Sequence, residues 1–212
     1  MRKTVQTVLV CFVAVGFCTA QNAERIFEEA AKAYEQSNGI AVSFTMNIQS
    51  ERQGISESFE GTIQMKGDKF VLITPDTRTW YDGKTQWTYV VPTDEVNLTT
   101  PTGDDLQFVN PMLLLRTYKT GFNLVYIGES TAETGRMAYD VQLTAKGNSD
   151  IEKMDVQIEK TTSLPVRMTV FMKNGMRNFI RISKMQTGVN QPDSFFTFNP
   201  ADYPDVVEID LR

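Results

Sequence analysis

The stretch that decides the fold is residues 39–49, GIAVSFTMNIQ, in which every second residue from Val42 to Ile48 is apolar and the residues between them are polar. Side chains on a β-strand point alternately to its two faces, so this pattern predicts a strand with one apolar and one polar face. Asn38 and Gly39 precede the strand and mark the end of a helix, since glycine accepts the left-handed conformation found after helix C-termini.

Before Gly39 the apolar residues recur at the spacing of a helix, which we predict over residues 22–37. The apolar positions of this helix are Ala23, Ile26, Phe27, Ala30, Ala33 and Tyr34.

The first twenty residues are typical of a signal peptide. A basic pair at residues 2–3 precedes an apolar run over 8–17, which is too short to span a bilayer, and small residues follow. We therefore predict cleavage after Ala20 and a single domain over residues 21–212.

After residue 49 the period of two recurs in short segments separated by turn residues. Asp82-Gly83 and Asn174-Gly175 are the strongest hairpin signals, because these residues tolerate the positive φ angles of tight turns. The segments with strand character are 59–65, 69–73, 78–81, 86–90, 95–99, 122–127, 137–145, 151–160, 165–173, 176–185 and 195–198. Together with the first segment, they indicate about ten strands.

One helical segment interrupts the strands. Asn110 is a good N-cap residue, Pro111 suits the first helical position, and four apolar residues follow before Gly121 ends the helix. The predicted fold class is α+β, mainly β: an unclosed antiparallel β half-barrel whose concave apolar face is covered by helices. A sheet with one apolar face must bury it, and two short helices are too few to fill the concavity, so we expect an apolar cavity.

Composition excludes several function classes. The chain has no histidine, and its two cysteines, Cys11 and Cys18, both lie in the predicted signal peptide. These absences argue against Ser-His and Cys-His catalysis and against His- or Cys-liganded metals. We therefore expect no enzyme, no metal and no cofactor. The mature chain carries a net charge of −7, with scattered basic residues, so a nucleic-acid partner is not expected.

Several segments, in order, resemble the LolA family of lipoprotein carriers. These are the first strand over 39–45, the second strand over 59–66, the hairpin over 80–89 with Asp82-Gly83, the mid-chain helix over 110–115 and a C-terminal strand over 195–200. The Asp-Gly hairpin alone is common, but the order and spacing of the segments, together with the signal peptide, cover essentially the whole mature chain.

The resemblance implies a soluble periplasmic carrier that binds the acyl chains of lipoproteins, or another lipid cargo, and shuttles them from the inner to the outer membrane. It also implies two partners, an inner-membrane release complex and an outer-membrane receptor; we expect the carrier to be a monomer. From face alternation and the resemblance, we predict that the cavity is lined by Phe44, Met46, Phe59, Ile63, Met65, Phe70, Leu72, Trp80, Trp87, Tyr89, Met112, Leu113 and Leu115.

One position departs from the family pattern. The best-known carriers latch their helical lid with an arginine just after the second strand, and Gly67 occupies that place. The latch is therefore expected to be absent or moved.

The sequence leaves two other functions open. A membrane-anchored receptor of the same fold would need a lipidated cysteine, but Phe17 precedes Cys18, where a small residue is usual. A periplasmic sensor of lipids or lipoproteins is the second alternative; such a protein is expected to carry an additional partner-binding domain, and we recognise none.

Overall fold

The computed structural model describes residues 11–101 and 114–212. Its helices are α1 (Cys11–Gln36) and α2 (Leu114–Gly121). The strands within the described ranges are β1 (Ile40–Ser50), β2 (Ile55–Lys66), β3 (Lys69–Ile73), β4 (Thr77–Tyr81), β5 (Gln86–Val90), β6 (Glu95–Thr99), β7 (Phe122–Thr131), β8 (Met137–Ala145), β9 (Ile151–Glu159), β10 (Pro165–Met172), β11 (Arg177–Thr187) and β12 (Val207–Asp210).

These strands form one unclosed sheet, so the predicted mainly-β half-barrel is confirmed. Within the described residues the strand order is β12-β6-β5-β4-β3-β2-β1-β11-β10-β9-β8-β7. Neighbours pair antiparallel except β12, which runs parallel to β6. In the part of the chain that the structure describes, the sheet has twelve strands rather than about ten. Strand β12 was not expected, because four residues are too few for a period of two to be recognised.

Helix α1 is longer than predicted and passes through the proposed cleavage position after Ala20. Among the α1 residues whose side chains the structure describes, those that join the buried core run from Ala23 to Tyr34. The helix ends where predicted, since Asn38 and Gly39 have φ angles of +54° and +99°.

The sheet has two faces with different coverings. We call the face that packs against α1 the inner face; it includes Ile40 and Val42 of β1 and Ile63 and Met65 of β2. The register places Ile40 opposite Met65 and Val42 opposite Ile63, so side chains of adjacent strands meet in rows across this face. The other side is the outer face.

The segment over residues 191–206 crosses the outer face of β2 to β6. Gln191 Nε2 donates to Gln64 Oε1 at 3.1 Å, and Lys69 pairs with Asp193 at 2.8 Å. Further along, Arg78 donates to the Tyr203 hydroxyl at 3.1 Å, and β12 then joins the sheet beside β6.

The predicted strand over residues 195–198 is wrong. Residues Asp193–Phe196 form a 3-10 turn, which begins after Pro192, and a second turn covers Pro200–Asp202. Phe196 and Phe198 are buried, because they pack against the outer face of the sheet instead of pairing within it. Proline has no backbone N–H, which disfavours a paired strand between positions 192 and 200.

No helix among the described residues is both long enough and apolar enough to cross a bilayer.

Candidate functional site

The inner face is apolar across most of the sheet. One row of directly opposed residues runs from β2 to β7 without a charged side chain. Its members are Phe59, Met46, Ile180, Met168, Val156, Val141 and Tyr126. Burial raises the pKa of the Tyr126 phenol, and the charge of Glu129 raises it further, so this end of the row is also neutral at physiological pH.

Among the described residues, the helices close only part of this face. Helix α1 contributes Ile26 and Phe27, and α2 contributes Leu115, to one buried cluster that includes Met65, which is 1% exposed. Elsewhere on the inner face Phe44, Met46, Phe59, Leu72, Ile180 and Ile182 are only half-buried. An apolar surface that a bound molecule can cover therefore continues beyond the part closed by the helices.

The structure brings together most of the residues predicted to line a cavity. Ile63, Met65, Phe70 and Leu115 belong to the buried cluster, and Phe44 and Leu72 pack against it. Met46 and Phe59 continue the same face, opposite one another on β1 and β2. Met112 and Leu113 lie outside the described residues.

Three predicted lining residues lie on the outer face. Trp80, Trp87 and Tyr89 join a second cluster with Val96, Leu98, Phe198, Tyr203 and Val206. Trp80 packs against Phe198 with ring centroids 5.4 Å apart. Trp80 and Tyr81 are consecutive residues of β4, so only one of them can face inward. That residue is Tyr81, whose ring centroid lies 5.4 Å from that of Phe70. The structure thus separates these three residues from the others on the predicted list.

The inner face of β4 to β6 carries neutral polar side chains instead. Thr79, which is 4% exposed, is opposite Thr88, and their hydroxyl oxygens are 3.4 Å apart. Gln86 Nε2 donates to Thr88 Oγ1 at 3.3 Å, and Gln86 is opposite Tyr81. Burial, followed by the charge of Asp82, raises the pKa of Tyr81, so its phenol also stays neutral. The sequence shows these polar residues but not which face they occupy.

Residues of β10 and β11 were missing from the predicted list. Met168 and Val170 are buried in the inner cluster, and Ile180 and Ile182 pack against it. The alternating apolar residues in 165–173 and 176–185 predicted two strands, but this pattern did not show which strands would flank β1. Strand β1 pairs with β11 although the two are far apart in the sequence: Ser183 Oγ donates to the carbonyl of Ser43, 140 residues earlier. This pairing places β11, and β10 next to it, on one side of β1.

Polar contacts attach the helices to each other and to the sheet. Lys119 of α2 donates to Glu28 of α1 at 2.9 Å, and this bond lowers the pKa of the Glu28 carboxyl and raises that of the Lys119 ammonium. The Tyr34 hydroxyl donates to the backbone carbonyl of Gly67 at 2.8 Å. Position 67 therefore contacts α1 through its backbone.

No group of three or more potential metal-ligating side chains occurs among the described residues. The surface that the structure does assemble is apolar and neutral polar, which suits binding of an uncharged, apolar molecule.

Comparison with protein families decides the relationship. The family model of outer membrane lipoprotein carrier protein LolA matches residues 15–176. The chain belongs to this family. The family is described as an outer membrane lipoprotein carrier, and the chain is a lipid- or lipoprotein-binding domain of this type. No curated protein sequence matches the chain.

The fold of this chain also occurs in solved structures. The chain is similar to an uncharacterized conserved protein from Thermus thermophilus, with a TM-score of 0.59 and 14% identity, covering 90% of this chain and 99% of that chain. It is also similar to a LolA superfamily protein from Nitrosomonas europaea (TM-score 0.48, 12% identity, 85% and 98% covered) and to LprF from Mycobacterium bovis (TM-score 0.49, 16% identity, 86% and 98% covered). Identities this low show likeness of fold alone.

Proposed function

We propose that this LolA-family protein binds the acyl chains of lipoproteins on its inner face and carries them across the periplasm from the inner to the outer membrane. The observation that carries the proposal is the half-buried apolar surface around Phe44, Met46 and Ile180, which the helices leave uncovered. Single exposed apolar residues are normal on proteins, but a contiguous inner surface of this kind indicates a ligand.

The energetics of transfer explain why a carrier is needed. Burying one CH₂ group contributes roughly 0.8 kcal/mol, so a sixteen-carbon chain resists entry into water by about 12 kcal/mol. Unassisted crossing of an aqueous compartment is therefore extremely slow. A carrier must offer comparable apolar surface, and the rows of the inner face supply it.

Release is proposed to depend on the helices. Helices α1 and α2 pack on the apolar side of the sheet and are tied to each other by the Glu28–Lys119 pair. Closure of the helices over the empty inner face competes with cargo for the same side chains, which favours release without a chemical energy source. The Tyr34–Gly67 hydrogen bond anchors the C-terminal end of α1 during such a movement.

The proposed location is the periplasm, reached through a signal peptide over residues 1–20. The proposed partners are an inner-membrane complex that loads the carrier and an outer-membrane receptor that unloads it. The carrier is proposed to act as a monomer. The N-terminal mass of the exported protein tests the cleavage position, since an intact or lipidated Cys18 would contradict processing after Ala20.

Native mass spectrometry tests the carrier proposal. The protein is purified from the periplasm of its own cells and sprayed with and without an added N-acylated peptide. We expect lipoprotein or lipid to co-purify in a one-to-one ratio, or the added peptide to bind in that ratio. A bare protein that also takes up no acylated peptide would contradict the proposal and favour an interaction domain.

Substitution of Trp87 by alanine tests the assignment of faces. Because Trp87 packs in the outer cluster, we expect the free energy of unfolding to fall by about 2 kcal/mol, while the affinity for an acylated peptide stays unchanged. Urea denaturation and peptide titration measure the two quantities. Loss of affinity in a variant that is still folded would return Trp87 to the binding surface.

A further inference from the structure

Four buried side-chain polar atoms among the described residues make no hydrogen bond, and two of them lie on the neighbouring strands β1 and β11 of the apolar inner face. Among the described residues, Ser50 Oγ and Asn178 Oδ1 are both buried and make no hydrogen bond. Burying such an atom without a hydrogen-bond partner is unfavourable, so each occurrence in a folded protein calls for a physical explanation.

Asn178 is the polar exception in an otherwise apolar row. On one side of it the row consists of Val170, Met154, Leu143 and Leu124. On the other side the row continues with Ile48 and ends at the exposed Glu57. An apolar residue at position 178 would complete the row and remove the unsatisfied atom.

Ser50 is the diagonal neighbour of Asn178. Asn178 is opposite Ile48 on β1, and Ser50 follows Ile48 by two residues, so its side chain points to the same face. Diagonal positions of an antiparallel pair are about 7 Å apart. Ser50 is 2% exposed, so its hydroxyl group is withheld from bulk water.

We propose that Asn178 and Ser50 bind the amide group that joins an acyl chain to its head group. This inference rests on the proposed function and names the linkage chemistry of the cargo. The N–H of a secondary amide donates to Asn178 Oδ1, and the Ser50 hydroxyl donates to the amide carbonyl. One hydrogen bond of about 2.9 Å on each side of an amide group spans the distance of about 7 Å between these diagonal positions.

The chemistry of the pair favours an amide over other linkages and head groups. An ester offers a carbonyl to Ser50 but no N–H to Asn178, so it satisfies one atom and leaves the other unpaired. A phosphate offers only acceptors, and the carboxylate of Glu57 follows in the same row. Discrimination against a ligand that leaves a buried polar group unpaired is typically strong.

Two probes that differ in one group test the proposal on the exported, purified protein. N-palmitoylethanolamine carries an amide, and 2-hydroxyethyl palmitate carries an ester in its place. We expect the protein to bind the amide 5- to 10-fold more tightly. Asn178→Leu is expected to abolish the preference while leaving ester binding unchanged, since leucine fits the apolar row. Ser50→Ala is expected to weaken both probes 3- to 5-fold and keep their ratio.

Asn47→Leu is the matched control, because Asn47 lies on β1 opposite Phe179 with its side chain on the outer face. It is expected to change neither affinity. Equal binding of the two probes by the wild-type protein, or a preference that survives Asn178→Leu, would overturn this inference alone. Failure of both probes to bind would overturn the carrier proposal and this inference with it.

A third probe separates the two sources of an acyl amide. An N-palmitoylated peptide that binds more tightly than N-palmitoylethanolamine, with the same sensitivity to Asn178→Leu, supports the acylated N-terminus of a protein. Equal affinities support an amide-linked lipid. A peptide that binds without sensitivity to Asn178→Leu would contradict the amide site.

Discussion

Replacing Met46 and Ile180 together by glutamine is expected to weaken binding of an N-acylated peptide by roughly 30- to 100-fold. The two side chains are opposite one another on β1 and β11 and are half-buried on the inner face. Each contributes about 1 kcal/mol or more of apolar contact to a bound chain, and 2–3 kcal/mol together corresponds to this change in the dissociation constant. Titration with a fluorescent acylated peptide measures it.

The adjacent pair on the outer face provides the control. Thr45 precedes Met46 on β1, and Arg181 follows Ile180 on β11. Thr45 and Arg181 are opposite one another, and their side chains lie on the outer face of the sheet. Thr45→Gln with Arg181→Gln should leave binding unchanged. Far-ultraviolet circular dichroism must show the same fold in both double variants. Retained affinity in the folded Met46/Ile180 variant would exclude this part of the inner face from the binding surface.

Gly39→Ala is expected to lower the free energy of unfolding by about 2–4 kcal/mol. Gly39 has a φ of +99°, which costs a residue with a Cβ about 1–2 kcal/mol. The same Cβ would also lie 2.3 Å from the carbonyl oxygen of Val189, and relieving this overlap adds about 1–2 kcal/mol. The position joins α1 to β1 and accepts a hydrogen bond from the Val189 N–H at 3.2 Å, so a backbone shift disturbs both elements.

Gly54→Ala separates the two causes of that loss. Gly54 has a φ of +66°, but a Cβ there would meet no atom within 4 Å. We expect it to cost only the backbone strain of about 1–2 kcal/mol. Urea denaturation of both variants gives the difference. If both variants lost the same free energy of unfolding, this result would contradict the close approach of the Val189 carbonyl to Gly39.

Local patterns identified the strands more successfully than their faces. The predicted segment over 137–145 coincides with β8, and those over 151–160 and 165–173 exceed β9 and β10 by one residue each. In 78–81, however, Trp80 and Tyr81 are both large and apolar, so the period of two does not show which one faces the helix. A shift of one residue reverses every assignment in a strand.

The C-terminal region shows a second limit of local patterns. Phe195, Phe196 and Phe198 have the composition of a strand, but the region forms a 3-10 turn over the outer face. Phe198 at its end is buried against Trp80, which is more than one hundred residues away in sequence. Burial alone does not distinguish a strand within a sheet from a loop packed on top of it.

Some features of this protein follow from the sequence by itself. Alternating apolar residues, Asp-Gly and Asn-Gly turns and the helical period before Gly39 determine the mainly-β half-barrel with a covering helix, because these signals act between neighbours in the chain. The absence of histidine and of cysteines beyond residue 20 limits the available chemistry. The tertiary structure alone decided which strands are neighbours, that Trp80, Trp87 and Tyr89 lie on the outer face, and that Ser50 and Asn178 lie at diagonal positions on the inner one. Pairing between β1 and β11 joins residues about 140 positions apart, and such long-range pairing has no local signature in the sequence.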